Sequence, residues 1–223
     1  MIVVSVCCLK GGVGKSTIST ALAVRATEDF SRVGIIDVDP NQGATQWHYA
    51  RIQGGFPYEP TVLSGAVDVS EALKVFIQDS RDFVIIDGGP SSSMLAQEAI
   101  DYSEIAIVPT RSAGQDFGST CDTIEICRSV ETPFLLVLNE MNPARNGEED
   151  ERTRGAITVY EREVGPISWG PILHRCTTYQ DAVMLGLGPH EVRASNTQAR
   201  DEIEELYRQA LQMIAEARDG GGH

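Results

Sequence analysis

A glycine-rich segment near the N-terminus has the residue types that bind phosphate. It reads Gly-Gly-Val-Gly-Lys-Ser-Thr, follows an apolar run and precedes a helical pattern. Glycines let a backbone curl until its N–H groups point at phosphate oxygens, and the dipole of the following helix favours negative charge. In such a loop the lysine reaches the β- and γ-phosphates, the serine hydroxyl is a ligand of Mg²⁺ and the threonine bonds the α-phosphate. We therefore predict a site for ATP and Mg²⁺ at Gly11, Gly12, Val13, Gly14, Lys15, Ser16 and Thr17.

Three aspartates follow two other apolar runs. Asp37 and Asp39 come after Val33–Ile36, and Asp87 comes after Phe83–Ile86. Carboxylates near Mg²⁺ and the γ-phosphate have two uses, since one supports the water shell of the metal and another orients the attacking water. Asp87, at the end of its strand, is predicted to hold Mg²⁺ through water. A turn or a helix cap is the alternative for the segment around Asp39.

The elements that must position these residues alternate between short apolar strands and helices. Such a pattern favours a mainly parallel sheet covered on both faces, with its chemistry at the carboxyl ends of the strands. Lys10, Asp37, Asp87 and Asn139 all stand at those ends. We predict an α/β fold, a single P-loop domain over 1–218 with a twisted sheet flanked by helices, and a flexible tail over 219–223. The predicted strands are Ile2–Leu9, Val33–Ile36, Phe83–Ile86, Ile105–Val108 and Phe134–Leu138; the predicted helices are Lys15–Glu28, Val67–Gln78, Met94–Asp101, Gly114–Ser129, Glu149–Glu163 and Asn196–Arg218.

Composition limits the classes of protein that fit. The 223 residues, 42% of them hydrophobic, suit one globular domain, and no apolar run is long enough to cross a bilayer. The apolar N-terminus lacks a basic leader and a cleavage site, which indicates a strand. Five cysteines without a CxxC pair argue against a disulfide framework or a zinc site and favour a reducing cytoplasm. Because the net charge is −14, binding to nucleic acid or anionic lipid would need a local basic patch.

Lys10 gives the loop a second lysine at its start. The pattern Lys-Gly-Gly-Val-Gly-Lys-Ser-Thr resembles the deviant Walker A loop of the ParA/MinD family, which also includes nitrogenase iron proteins. In that family the early lysine reaches across a dimer interface to the partner's ATP. The resemblance implies a homodimer with ATP between its subunits, in which Lys10 supplies a second cation to the transferring phosphoryl group. It also implies an ATPase that is slow until a partner protein stimulates it.

The resemblance extends to the acidic segments. Asp37-Val38-Asp39-Pro40-Asn41 is similar to the family's DxDPQ switch segment, with asparagine where glutamine often follows proline. It implies that Asp37 supports the water shell of Mg²⁺ and that Asp39 orients the attacking water, so that Lys10, Lys15 and Asp39 are the catalytic residues. Asp87 ends a strand that looks like a Walker B strand. The Gly-Gly-Pro that follows departs from the family's usual Asp-x-Pro-Pro.

Two later segments resemble the family's base-binding end. Asn139 stands where the family has an asparagine that contacts adenine, and its amide has the donor and acceptor that an adenine edge needs; a strand-end cap is the alternative. Residues 170–175 and 179–182 look like the family's IPR…EA stretch, although His174 is unusual there. This similarity implies that Pro171 and Leu173 sandwich the adenine and that Arg175 matches the arginine of the stretch.

The resemblance leaves four functions open. A ParA-type partition ATPase would bind DNA without sequence preference in its ATP state, work with a small centromere-binding or adaptor protein, and move plasmids, chromosomes or protein clusters. A MinD-type membrane ATPase would need a basic amphipathic C-terminal helix, but the polar face of this one is mostly acidic, so we expect it to pack on the domain. An iron–sulfur reductase would need cysteines from both subunits to bind a shared cluster, but Cys121 and Cys127 lie six residues apart in a predicted helix and lack the family's cysteine contexts. A nucleotide-gated scaffold would hydrolyse negligibly. We favour the first.

DNA binding depends on arginines in the second half of the chain. Non-specific binding comes from neutralising backbone phosphates. Our hypothesis is that dimerisation gathers Arg175 and Arg193, together with Arg152 and Arg154, on one face. The alternative is a solvated surface of mixed charge, because acidic residues outnumber basic ones there too.

Overall fold

The computed structural model describes residues 1–64, 68–89, 93–111, 114, 116–193 and 197–220. Four parts of the sequence predictions lie outside the described residues. They are Val67 and Asn196, where two predicted helices begin, Pro90, and residues 221–223 of the predicted tail. The strands are β1 (Ile2–Val6), β2 (Val33–Asp37), β3 (Thr61–Ser64), β4 (Phe83–Asp87), β5 (Ile105–Thr110) and β6 (Phe134–Leu138). The helices are α1 (Lys15–Ala26), α2 (Gly43–Gln53), α3 (Val69–Gln78), α4 (Ser93–Asp101), α5 (Phe117–Ser129), α6 (Glu151–Val164), α7 (Thr177–Leu185) and α8 (Gln198–Gly220).

The six strands form one parallel sheet in the order β3-β2-β4-β1-β5-β6. On one side of β1 the chain adds β2 and β3 and then inserts β4 between β1 and β2, and it crosses to the other side of β1 with β5 and β6. The carboxyl end of β1 is therefore the point where the order reverses. Ligands of open α/β sheets bind at this kind of position. The register aligns Asp37 with Asp87 and Val6 with Asp87, which brings the ends of β1, β2 and β4 together.

Alternate residues of the strands enter two separate cores, because successive side chains of a strand point to opposite faces. One core joins Val4, Ile35 and Ile85 to α1, α2 and α8, and the other joins Val3 and Ile36 to α3, α4, α5 and α6. Both faces of the sheet are therefore covered. The predicted α/β fold with a parallel sheet between helices is confirmed.

Three elements of the structure were not predicted from the sequence, and one strand ends earlier than predicted. Strand β3 lies at the sheet edge, and only its first residue is buried, so it has little apolar pattern. Helices α2 and α7 have weakly separated polar and apolar faces, so neither produces a clear helical periodicity. Strand β1 ends at Val6 rather than Leu9, because the chain leaves the sheet there to form the glycine loop.

Helix α8 packs on the domain as expected. Its apolar residues Ile203, Leu206, Tyr207 and Ile214 are buried against α1 and the sheet. Arg25 of α1 pairs with Glu204 of α8 and lies 4.5 Å above the ring of Tyr207. Among the residues that the structure describes, no helix is both long enough and apolar enough to span a membrane.

Candidate nucleotide site

The glycine loop runs from the end of β1 to the start of α1. Gly12 and Gly14 have φ of +73° and +93°, a region that side chains disfavour. A Cβ built on Gly14 would lie 2.1 Å from Nδ2 of Asn139, so glycine is required there on steric grounds as well. Lys15 is 5% exposed, and its Nζ donates to the carbonyl of Lys10 at 3.0 Å. The loop thus holds its own lysine against its backbone.

Asp87 is completely buried beside this loop. Its Oδ1 accepts a hydrogen bond from Ser19 Oγ at 2.9 Å, while its Oδ2 has no hydrogen-bond partner among the described residues. Burial raises the pKa of Asp87 to about 7, although Ser16, Ser19 and Lys15 oppose this shift. An unsatisfied, buried carboxylate oxygen near a serine hydroxyl fits a hard cation such as Mg²⁺, which prefers oxygen ligands and would hold the group ionised.

Asp37 holds the start of α2. Its Oδ2 accepts hydrogen bonds from the backbone N–H and the Oγ1 of Thr45, at 2.8 and 2.7 Å, and its Oδ1 accepts one from the N–H of Asp39 at 3.2 Å. Burial raises the pKa of Asp37, and the bonds from Thr45 oppose that shift. The carboxylate therefore positions the helix that follows, a contact that the sequence analysis did not foresee.

Asp39 lies in the turn between β2 and α2. Its Oδ1 accepts hydrogen bonds from the N–H and the Nδ2 of Asn41, at 2.8 and 3.0 Å, which forms a local turn. The side chain is half-exposed on the same edge of the sheet as Asp37 and Asp87. In this structure its contacts are those of the turn that the sequence left open as the alternative.

Gly43 contributes to the site although its position in the sequence does not predict this. A Cβ built on it would lie 2.6 Å from Oγ and 2.9 Å from Cβ of Ser16. The first residue of α2 thus packs directly against the serine that is predicted to bind Mg²⁺. No sequence pattern within the glycine loop could reveal this contact, because it depends on how Asp37 and Thr45 place α2.

Asn139 connects β6 to the glycine loop. It is buried, and its Nδ2 donates to the carbonyl of Val13 at 2.8 Å, while its own N–H donates to Thr110 at 2.7 Å. One donor of the amide therefore supports the loop, and the side chain also lines the cavity that opens beside it.

That cavity, about 420 Å³, lies between the glycine loop and α7. Its volume suits a base and a ribose. The expected adenine sandwich by Pro171 and Leu173 is wrong for Leu173, which has no exposed surface and belongs to the core, and neither residue lines the cavity. The described residues that line it are Gly14, Thr17, Asn139, Glu140, His174, Arg175, Cys176, Tyr179, Gln180, Val183 and Met184.

Backbone pairing explains this correction. The N–H of Leu173 donates to Leu138 at 2.8 Å, and Met141 forms a parallel bridge with His174, so the segment runs alongside the end of β6. Successive side chains of such an extended segment point to opposite sides. Leu173 therefore enters the core, and His174 faces the cavity.

His174 lies between two carboxylates. Its Nδ1 is 2.7 Å from Glu202 of α8, and its Nε2 is 3.1 Å from Glu149, just before α6. Tyr179 of α7 donates to Glu202 at 3.0 Å. Burial alone lowers the pKa of His174, but its bonds to Glu202 and Glu149 outweigh this and raise it. The imidazole thus ties the cavity wall to two helices.

Lys10 lies at the open side of the loop. Its side chain is 39% exposed, and its Nζ is 3.8 Å from Asp116, which precedes α5. Arg111, another residue that the sequence analysis did not single out, follows β5 on the same side. A Cβ built on Gly12 would lie 3.4 Å from its Nη2. Two cations therefore flank the loop in addition to Lys15.

The four arginines predicted to bind DNA do not all lie together. Arg152 and Arg175 line one small cleft, whereas Arg154, two residues further along α6, lines a different groove. Arg193 is exposed in the segment between α7 and α8. Cys127, one of the two cysteines considered for an iron–sulfur cluster and disfavoured, is fully buried, which raises its pKa to about 12.

Known proteins resemble this chain over nearly its whole length. The profile of the CobQ/CobB/MinD/ParA nucleotide binding domain matches residues 4–216. The protein named for maintenance of carboxysome distribution, protein A of Halothiobacillus neapolitanus, is 29% identical over 209 residues, which cover 91% of this chain and 93% of that protein. Protein ParA of Rhizobium radiobacter is 25% identical over 221 residues, which cover 95% and 96%.

A solved structure agrees in fold. The ATP complex of a variant of Cyanothece McdA superposes with a TM-score of 0.69 at 17% identity, and the match covers 96% of each chain. At this identity the likeness concerns the fold alone.

Proposed function

We propose that this chain, which belongs to the CobQ/CobB/MinD/ParA nucleotide-binding domain family, is a Mg²⁺-dependent ATPase that positions a cargo by switching between nucleotide states. In its ATP state it forms a homodimer with ATP between the subunits, and the dimer binds DNA without sequence preference. A small adaptor or centromere-binding protein stimulates hydrolysis and so releases the dimer from DNA. The observation that carries the proposal is the meeting of Lys15, Ser16 and the unsatisfied Oδ2 of Asp87 at one sheet edge, with Lys10 on the open side.

The hydrolytic role draws on this cluster. Mg²⁺ at Ser16 and Asp87 would neutralise charge on the phosphates. When ATP binds, Lys15 exchanges its hydrogen bond to the Lys10 carbonyl for contacts with the β- and γ-phosphates. Asp39, whose carboxylate accepts from Asn41 in this structure, turns to orient the attacking water. The half-exposure of Asp39 supports this role, because such a residue can turn towards an incoming γ-phosphate without breaking a buried contact.

The proposed dimer depends on Lys10, which lies on the open side of the loop. A lysine needed only for its own subunit's nucleotide would be expected to point into the site, whereas Lys10 is 39% exposed and faces Asp116 across 3.8 Å. An ion pair of that length at the surface contributes little, so the lysine is available to a partner's phosphate. We therefore assign Lys10 to the ATP of the partner subunit.

The cargo class follows the relatives. One is named for carboxysome distribution and another is a ParA protein, so we propose that the cargo is a protein assembly or a DNA molecule, tracked along the nucleoid. A membrane track is less favoured, because the apolar face of α8 is buried in the core.

The test combines turnover with duplex binding at low salt, without nucleotide, with ADP and with ATP. An Asp39→Ala variant holds the ATP state. We expect DNA binding with ATP alone, weakened by salt. Lys15→Ala should lose ATP binding, whereas Lys10→Ala should keep it and lose dimerisation and turnover by about 100-fold.

Three results would contradict the proposal. Equal DNA binding in every nucleotide state would show that ATP does not control DNA binding. Turnover by a strictly monomeric Lys10→Ala protein would show that Lys10 does not act on the ATP of a partner subunit. Dimerisation without turnover would identify the protein as a nucleotide-gated scaffold and not an ATPase.

A further inference from the structure

Three arginines from separate elements line one small cleft beside the candidate nucleotide site. Arg111 follows β5, Arg152 lies in the first turn of α6, and Arg175 lies between α6 and α7. The cleft holds about 150 Å³, enough for one phosphate group rather than a whole nucleotide. Glu140 and Asp150 line it as well. Cations therefore outnumber carboxylates on its walls.

One of the two carboxylates that line the cleft also stabilises the fold. Asp150 caps α6, where its Oδ1 accepts from the N–H and Oγ1 of Thr153, both at 2.8 Å, and its Oδ2 accepts from Asn142 at 2.7 Å. The bond from Asn142 and those from Thr153 lower the pKa of Asp150 to about 2. This carboxylate therefore stays ionised and contributes one negative charge to the wall of the cleft.

One nitrogen of Arg111 makes no hydrogen bond within the described part of the chain, although the residue pairs with Glu140. Its Nε is buried and has no hydrogen-bond partner among the described residues, although a carboxylate oxygen of Glu140 lies 3.4 Å away. A buried donor without a partner costs free energy that an incoming acceptor would recover. The planar guanidinium fork matches the oxygens of a phosphate group.

We propose that this arginine cleft is a phosphate-binding site and that its occupant is a backbone phosphate of duplex DNA. The phosphate chemistry rests on the cleft, and the choice of DNA rests on the function proposed above. The proposal keeps Arg152 and Arg175 from the arginines predicted from sequence, adds Arg111, and leaves out Arg154 and Arg193. It also reconciles DNA binding with a net charge of −14, because the attraction is local.

The walls of the cleft are shared with the nucleotide site. Arg111 lies against Gly12 of the loop, while Glu140 and Arg175 line both the cleft and the larger cavity. A nucleotide that moves the loop or the cavity wall therefore changes the spacing of two of the three arginines. This connection gives a physical route by which ATP gates DNA binding.

Arg152 and Arg154 form a matched pair for the test. Both are exposed on the same turn of α6, and only Arg152 lines the cleft. In the Asp39→Ala background with ATP, we expect Arg152→Glu to weaken duplex binding by tenfold or more, in the range of ~10- to 100-fold for a lost charged hydrogen bond. The slope of log K against log salt should fall by about 1 for each lost phosphate contact. Arg154→Glu should change affinity by less than about threefold.

A second arm uses inorganic phosphate, followed by ³¹P line broadening in the Asp39→Ala protein saturated with Mg²⁺ and ATP, so that the glycine loop is already occupied. In this background we expect broadening with the unaltered cleft and with Arg154→Glu that is lost in Arg152→Glu. If the wild type dimerises with ATP but binds no DNA, the DNA part of the proposed function fails, and this arm still decides whether the cleft takes phosphate. Equal losses of DNA binding in both variants, or no loss in either, would overturn the cleft as the DNA contact. Phosphate broadening that survives Arg152→Glu would overturn the cleft as a phosphate site.

Discussion

The two ends of the candidate nucleotide site are built in different ways. The phosphate end is one continuous loop whose shape comes from glycines at positive φ, with Asn139 and Asp87 packed behind it. The base end is a wall assembled from α7 and from segments at the ends of β6, tied to α6 and α8 through His174. A motif can specify the first end, because the chemistry and the backbone coincide in a few consecutive residues. The second end depends on which alternate side chains packing turns inward.

The largest effect should come from Gly14→Ala. The new Cβ would lie 2.1 Å from Asn139 Nδ2 on a backbone with φ of +93°, so the loop cannot keep its shape. We expect ATP affinity to fall by more than about 100-fold, measured by isothermal titration calorimetry. Gly155→Ala on exposed α6, where an added Cβ meets no atom within 4 Å, is the control and should bind ATP normally. Retained ATP binding by Gly14→Ala would contradict the described loop.

The next effect separates the core from the cavity wall. Leu173→Ala should lower the free energy of unfolding by about 2–5 kcal/mol, because a fully buried leucine leaves a cavity. Met184→Ala, in a residue that is 71% exposed and lines the cavity, should change stability by less than about 0.5 kcal/mol and weaken ATP binding a few-fold. Urea denaturation and ATP titration of both variants make the measurement. If Leu173→Ala were as stable as the wild type but lost ATP affinity, the sandwich predicted from sequence would be restored.

Gly43→Ala should act on the phosphate end from outside its motif. Its Cβ would lie 2.6 Å from Ser16 Oγ, so either α2 or the serine must shift. We expect Mg²⁺-dependent ATP affinity to fall by about tenfold, with little change in the affinity measured in EDTA, because the serine hydroxyl is the predicted metal ligand. An equal loss with and without Mg²⁺ would mean that Gly43 serves the whole loop and not the metal.

The smallest effect should be a pH dependence at the base end. The bonds of His174 to Glu202 and Glu149 raise its pKa in the folded protein above the usual 6.5. The stability that it contributes is therefore complete below pH 6.5 and is lost as pH rises through the raised pKa. We expect wild type and His174→Gln to differ by about 1 kcal/mol more at pH 6 than at pH 9 in urea unfolding.

The measurement compares wild type with His174→Gln because two other histidines also make stability depend on pH. Burial lowers the pKa of His48 and that of His190, so their effect on stability has the opposite sign. This effect is the same in both proteins and cancels in the comparison. A difference that stays constant with pH would show that His174 contributes by packing alone.

The sequence by itself determined the α/β class and five of the six strands, and it predicts the residues of the phosphate end. Those residues are specified by local chemistry: a glycine conformation, a lysine and a serine at the start of a helix, and an aspartate at the end of a buried strand. The register then aligned Asp37 with Asp87 as the strand ends predicted.

Only the tertiary structure decided the rest. It packs Gly43 against Ser16 and pairs the carboxylate of Asp37 with Thr45. It also buries Leu173 in the core and brings three arginines to one cleft, namely Arg111, Arg152 and Arg175. These contacts join residues that are far apart in the chain. They depend on helices whose sequence has little periodicity and on the register of the strands, because a shift of one residue would turn each side chain to the other face. For that reason the motif residues of this protein can be predicted from its sequence, whereas the surfaces around them are set by the packing of the folded chain.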